Sequence, residues 1–204
     1  MEELREFLVS RKKITLLMVA ANLLVFAVFT ILGNTEDVHF MLEHGACFTP
    51  AILEGEYYRL FTGMFLHFGS THIVYNMICL IFMGDILETE IGSVKYLMLY
   101  LLGGLAGNLL SMAMDIRTGV YAVSAGASGA VFAIIGGLLW VIIRNKGKLG
   151  NITLQRMALM AGLSILQGFT ETGTDNAAHI GGFAAGVLLA VLLYRKKGKN
   201  KRRK

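Results

Sequence analysis

"SAGASGAVFAIIGG", residues Ser124–Gly137, places two serines and two glycines within its first six residues, ahead of a run that stays apolar to Ile143. Small residues of this kind let membrane helices approach closely, which makes helix packing one reading of the stretch. A second reading follows from Ser128, held between Gly126 and Gly129, as a nucleophile. The second reading requires a base and an anion site at the same depth elsewhere in the chain.

The chain has 204 residues, 55% hydrophobic and 16% charged, with a mean hydropathy of +0.60. Soluble globular domains carry about 25% charged residues, so the composition is that of a membrane protein. One proline and 24 glycines suit a packed helical bundle better than a sheet protein. Cys47 lies in a loop-like stretch and Cys79 in an apolar run, a pattern that argues against a disulfide framework or a metal site. No small-residue cleavage site follows the first apolar run, so a removable leader is not expected.

Nearly charge-free runs predict six transmembrane helices at about 14–33, 71–88, 96–114, 126–143, 153–169 and 176–194. The fifth is the weakest, interrupted by Gln155, Arg156 and Gln167. The fold class is therefore all-α: a six-helix membrane bundle forming a single domain over 1–194, with a basic tail at 195–204. With the N-terminus in the cytoplasm, seventeen of the 19 Lys and Arg residues fall on the cytoplasmic side, leaving Arg59 and Arg117 outside. Both termini are then cytoplasmic, and the tail RKKGKNKRRK reads as an orientation anchor toward the lipid bilayer, not as a nucleic-acid arm. The outer loop Asn34–Ser70 is long and aromatic, with Tyr57 and Tyr58 expected at the headgroup level and scaffolding as its plainest role.

Strongly polar side chains inside spans are costly and tend to mark function. The candidates are His72, Asn76, Asn108, Ser128 and His179, with Asn108 read as structural. Ser128 precedes Arg144, and His179 precedes Arg195, by sixteen residues each. Each thus lies roughly 24 Å above the inner boundary. His72 lies sixteen residues before Glu88 and shares a helix face with Asn76. A serine and two histidines therefore meet at one level near the outer face. A neutral histidine can take the serine's proton, and His72, Asn76 and the backbone amides of Ala127 and Ser128 can donate to an oxyanion. No carboxylate falls at this depth, so a two-residue Ser–His dyad is expected and not a triad.

Taken in order, "HFGSTHIVYNM" (His67–Met77), "GDILETEIG" (Gly84–Gly92), "GASGAVFAIIG" (Gly126–Gly136) and "AHIGGFAAG" (Ala178–Gly186) resemble the rhomboid intramembrane serine proteases. The resemblance runs from about Gly33 to Tyr194 and implies Ser128 as nucleophile and His179 as base. It implies an oxyanion hole of His72, Asn76 and the Ser128 amide, and Gly181 and Gly182 pressing the sixth helix on the fourth. Glu88 and Gly92 match a structural turn, and Arg59 a first-loop hydrogen-bonding residue. Substrates would be membrane-spanning proteins cut near the outer end of their helix, with the loop 170–176 as a cap and the fifth helix as a lateral gate. No cofactor or metal is implied. The compact layout suggests a bacterial inner membrane. Two positions depart from the pattern: Phe132 stands where some members carry a tyrosine that packs on the catalytic histidine, and Gly63 where some carry a histidine.

Two other readings stay open. One is a non-catalytic relative that only binds membrane helices. The other is a transporter using His72, His179 and Asn76, although no repeated halves or intramembrane carboxylate relay accompany them. There is no HExxH for zinc, and His67 with His72 lacks the further partners a metal needs.

Overall fold

In lipid every backbone N–H and C=O must be satisfied within its own segment, so long charge-free runs resolve as helices. The computed structural model describes residues 12–168 and 173–196. Six main helices appear: α1 (Lys13–Leu32), α5 (Gly69–Ile91), α6 (Ser93–Thr118), α7 (Ser128–Arg144), α8 (Leu154–Gly168) and α9 (Asn176–Leu193). Three short helices, α2 (Val38–Glu43), α3 (Thr49–Leu53) and α4 (Arg59–Thr62), build the loop between α1 and α5. α1, α5, α6 and α9 are long and apolar enough to cross a bilayer, while α7 and α8 are shorter apolar helices. The chain is thus a multi-pass membrane protein with a helical-bundle fold.

α7 is the central element. Gly129–Leu138, Val141 and Ile142 are all buried, as expected of a helix apolar on every side. Lipid is as apolar as leucine, so close van der Waals packing has to hold such a helix, not hydrophobic transfer. Packing here is backbone against backbone. A Cβ added at Gly182 of α9 would overlap the Gly129 carbonyl oxygen and lie 3.2 Å from its Cα. One at Gly186 would overlap the Ala133 carbonyl, and one at Gly136 would overlap that of Phe183. The two helices run parallel through these contacts, while α6 packs antiparallel to them with Gly103 against Ala133 and Gly107 against Ala178. Gly181 corrects the expectation drawn from the motif. It faces α6, 2.8 Å from Leu110 Cβ and 3.1 Å from the Gly107 Cα in the same construction, so only Gly182 of the pair presses on α7.

At the opposite end from the α1–α5 loop, Glu88 ties three helices together. Its carboxylate accepts from the Ile14 N–H (3.2 Å), the Thr15 N–H (2.8 Å), the Thr15 hydroxyl (2.8 Å) and the Ser93 hydroxyl (2.6 Å). The first-turn amides of α1 have no intrahelical acceptor, and an anion there also opposes the helix dipole favourably. Gly92, at φ 88°, makes the one-residue turn that lets α6 start beside α5. A polar residue outside the expected set, Asn22 of α1, is fully buried and donates to the Met18 carbonyl (2.7 Å) and the Tyr100 hydroxyl (3.2 Å).

Three features differ from the expected spans. α6 runs to Thr118, past Met114. A π turn, Leu80–Gly84, lies within α5 and shifts the helix face after Cys79. A two-stranded hairpin, β1 (Lys148–Leu149) with β2 (Ile152–Thr153), joins α7 to α8 around Gly150 and Asn151. α8 buries Met157 and Ala161 and exposes Leu159, Leu163 and Leu166. Residues 170–172 of the expected cap and 197–204 of the tail lie outside the described residues.

Replacing Glu88 by Ala removes four hydrogen bonds to a buried carboxylate, at an expected cost of about 2–3 kcal/mol. Thermal unfolding in detergent micelles checks this, and an unchanged midpoint would dismiss the carboxylate as a staple.

Candidate active site

The α1–α5 loop grips the segment that leads into α7. Cys47 and Ser124 exchange both backbone bonds, Cys47 N–H to the Ser124 carbonyl at 2.8 Å and Ser124 N–H to the Cys47 carbonyl at 2.9 Å. The Gly126 N–H donates to the Gly63 carbonyl at 2.8 Å, and the Ala127 N–H donates to His67 Nε2 at 3.2 Å. The loop itself is cross-linked by Arg59. Its guanidinium donates to the Leu42 (2.6 Å) and Ala46 (3.0 Å) carbonyls and to the Glu56 carboxylate (2.7 Å). Cys47 is buried, and burial above all pushes its thiol pKa up to about 12. The neutral thiol donates to the Arg59 carbonyl at 3.0 Å. A Cβ at Gly63 would lie 2.6 Å from Cys47 Sγ and 2.9 Å from the Arg59 carbonyl oxygen, which explains why no larger residue stands there.

Ser128 is the first residue of α7, so its N–H is one of the first-turn amides without an intrahelical acceptor. Gly126 adopts φ 146°, a backbone region costly for any residue with a Cβ. A Cβ built there would lie 2.7 Å from His72 Cε1, 2.9 Å from His72 Nε2 and 3.7 Å from Ser128 Oγ. The imidazole of His72 and the hydroxyl of Ser128 therefore border one space, kept open by the missing side chain. Asn76, one turn further along α5, is buried and uses one amide N–H on the His72 carbonyl at 3.0 Å, leaving the other N–H.

His179 of α9 is 9% exposed, and its ring stacks on Phe132 with centroids 4.3 Å apart and planes 21° from parallel. Phe132 lies one turn after Ser128, so a phenyl ring sets the level of the imidazole. Ser128 Oγ and the imidazole are not hydrogen-bonded to each other, and His179 Nδ1 is buried without a partner among the described residues. Nearby Asp175 caps α9. Its carboxylate accepts from the Ala178 N–H (2.9 Å) and the Ser111 hydroxyl (2.6 Å). Asn108 of α6 donates to the Leu60 carbonyl at 2.8 Å and ties α6 to the loop.

The segment before α7 thus collects a hydroxyl, an imidazole, an amide and a helix N-terminus, a set suited to binding a small anion or an oxyanion. Ala127 is not free to join them, because its N–H is already given to His67. Sequence reasoning treated His67 only as a candidate metal partner of His72, although its place within the first motif marked it as a buried polar group of the same loop.

A family described as Rhomboid domain matches residues 54–196. Among curated relatives, the chain is 31% identical over 179 residues to Rhomboid protease GluP of Bacillus subtilis (strain 168), covering 88% of this chain and 34% of that protein. It is 39% identical over 144 residues to RHOMBOID-like protein 4 of Arabidopsis thaliana, covering 68% and 34%. It is 32% identical over 184 residues to Rhomboid-like protease 3 of Toxoplasma gondii, covering 86% and 67%. The chain belongs to the rhomboid family. It spans about a third of the length of the Bacillus and Arabidopsis relatives.

Gly126 and Gly129 should separate cleanly on substitution. Gly126→Ala brings backbone strain of about 1–3 kcal/mol and a clash with the His72 ring. At Gly129 an added Cβ meets only ordinary contacts, at 3.6 Å or more. Thermal midpoints in detergent should fall for the first and stay near wild type for Gly129→Ala. Equal midpoints would contradict the crowded geometry at Gly126.

Proposed function

We propose that this chain is an intramembrane serine endopeptidase acting on the transmembrane segments of other membrane proteins. The observation that carries the reading is the shared space at Gly126, bordered by Ser128 Oγ and the His72 imidazole at the start of a buried helix. Membership of a family whose relatives include named proteases supports it further.

In this reading the Ser128 hydroxyl attacks the scissile carbonyl while a neutral His179 accepts its proton. The tetrahedral oxyanion takes hydrogen bonds from the Ser128 N–H, the free Asn76 amide N–H and the His72 imidazole. Collapse expels the new amine, which takes the proton from His179 and leaves an acyl ester on Ser128. Water, deprotonated by the same imidazole, then releases the acid and restores the hydroxyl. The dyad operates without a carboxylate: Asp175, the acid at the head of α9, is occupied in capping that helix. Phe132 orients the imidazole by stacking in place of a hydrogen bond.

α7 has 17 residues and measures about 25 Å, against a hydrocarbon core of about 30 Å. Ser128 is therefore recessed below the loop face, where a substrate helix would have to unwind to present its carbonyl. The same reading orients the membrane unit 1–194 with both termini and the 195–204 tail in the cytoplasm and the α1–α5 loop outside, in a bacterial cell membrane. The charge distribution supports that orientation.

Ser128→Ala and His179→Ala should each lower cleavage of a reporter transmembrane protein by about a thousandfold or more with the fold retained. Labelling by a fluorophosphonate, mapped by mass spectrometry, should fall on Ser128 and be lost in His179→Ala. Cleavage that survives Ser128→Ala would remove that residue from the mechanism. A wild-type protein that neither cleaves nor labels would favour a non-catalytic helix-binding relative.

A further inference from the structure

The contact between His67 and Ala127 has only one consistent proton arrangement. A backbone N–H can only donate, so His67 Nε2, 3.2 Å from the Ala127 nitrogen, is an acceptor. The ring proton then sits on Nδ1, which faces the Phe65 carbonyl at 3.3 Å. A neutral ring thus spans two backbone groups, the carbonyl of one loop and the amide before the nucleophile. The ring is 1% exposed and meets His72 edge-on, with centroids 5.2 Å apart. Burial chiefly, with His72 beside it, pushes its pKa down to about 3 against the opposing pull of the Phe65 carbonyl. The acceptor lone pair on Nε2 is therefore retained near neutral pH.

Local backbone stiffness does not hold the Ala127 peptide. Gly126 precedes it at φ 146° and, lacking a Cβ, hinges readily. Two bonds from the α1–α5 loop supply the restraint instead: Gly126 N–H to Gly63, and Ala127 N–H to His67. Because adjacent peptide planes share a Cα, turning the Ala127 peptide would also move the Ser128 amide and Oγ.

We propose that His67 is a positioning residue for the reaction at Ser128: by accepting the Ala127 N–H it keeps that peptide turned into the loop and aims the Ser128 N–H at the developing oxyanion. The inference rests on the protease reading of Ser128 and adds to it a residue that need not touch substrate. It also gives the α1–α5 loop a part in setting the nucleophile's geometry.

The test compares the fluorophosphonate labelling rate of Ser128 in wild type, His67→Phe and His67→Gln, all in detergent with thermal midpoints recorded, and with Ser128→Ala as the blank. Phe has similar size and no acceptor, whereas Gln keeps an acceptor oxygen. A misplacement of about 1 Å costs roughly a hundredfold, so His67→Phe should label about a hundredfold more slowly and His67→Gln within about tenfold of wild type. With a transmembrane substrate the Phe variant should lose kcat at an unchanged KM. Full-rate labelling of His67→Phe would overturn the proposal, as would folded Phe and Gln variants that are equally slow. If His67→Phe does not fold, the Gln variant decides alone, and a folded Gln variant slower than about a hundredth of wild type overturns it. If neither folds, His67 is a core residue and not a positioning one. Absence of labelling in wild type sinks the protease reading itself and this inference with it.

Discussion

The structure depends on backbone contact between α7 and α9. Lipid removes the usual reward for burying apolar side chains, so helices stay together through dispersion at short range, which grows as side chains shrink. Gly182, Gly186 and Gly136 remove Cβ atoms at the three points where one helix's carbonyl meets the other's backbone. The parallel register this imposes sets Phe132 against His179. Packing by small residues and placement of the polar site are one geometric fact, and the two readings of the serine- and glycine-rich stretch are not exclusive.

The α1–α5 loop adds the second constraint. A loop this long would ordinarily be mobile, but Arg59 satisfies two of its carbonyls, and its own edge pairs with Ser124. The segment Ser124–Ala127 therefore enters α7 held at Ser124, Gly126 and Ala127 by Cys47, Gly63 and His67 of that loop. That hold fixes Gly126 at φ 146°, with the His72 ring and Ser128 Oγ both within 4 Å of where a Cβ would stand.

Charge is distributed according to the same economy of the membrane. The site has no carboxylate, lysine or arginine at its centre, which is made of a hydroxyl, imidazoles and an amide. The buried carboxylate of Glu88 sits at the other end of the bundle, saturated by two amides and two hydroxyls. Asp175, close to His179, is likewise spent on a helix start and on Ser111. Both carboxylates thus serve to hold helices in place.

Hydrophobic runs and the positions of the charges were enough to read six helices from the sequence, because in lipid a long apolar segment has no alternative to a helix. Equal spacing from the next charge likewise gave His72, Ser128 and His179 one expected level, a count that assumes the constant rise of an α-helix. What lay beyond sequence were facts that depend on how helices face one another. Gly181 turns to α6 while its neighbour Gly182 turns to α7, a difference of one residue, or about 100° of rotation, that no motif encodes. The π turn at Leu80–Gly84 rephases α5 by a further residue. The Ala127 amide looked available because it lies beside Ser128, yet it is claimed by His67 from a loop sixty residues away. Composition and spacing thus determined which residues fall in helices and how far along them, because those quantities are one-dimensional. Which hydrogen-bond donors remain free there was decided by tertiary structure alone, because a hydrogen bond's partner is set by direction as well as by depth.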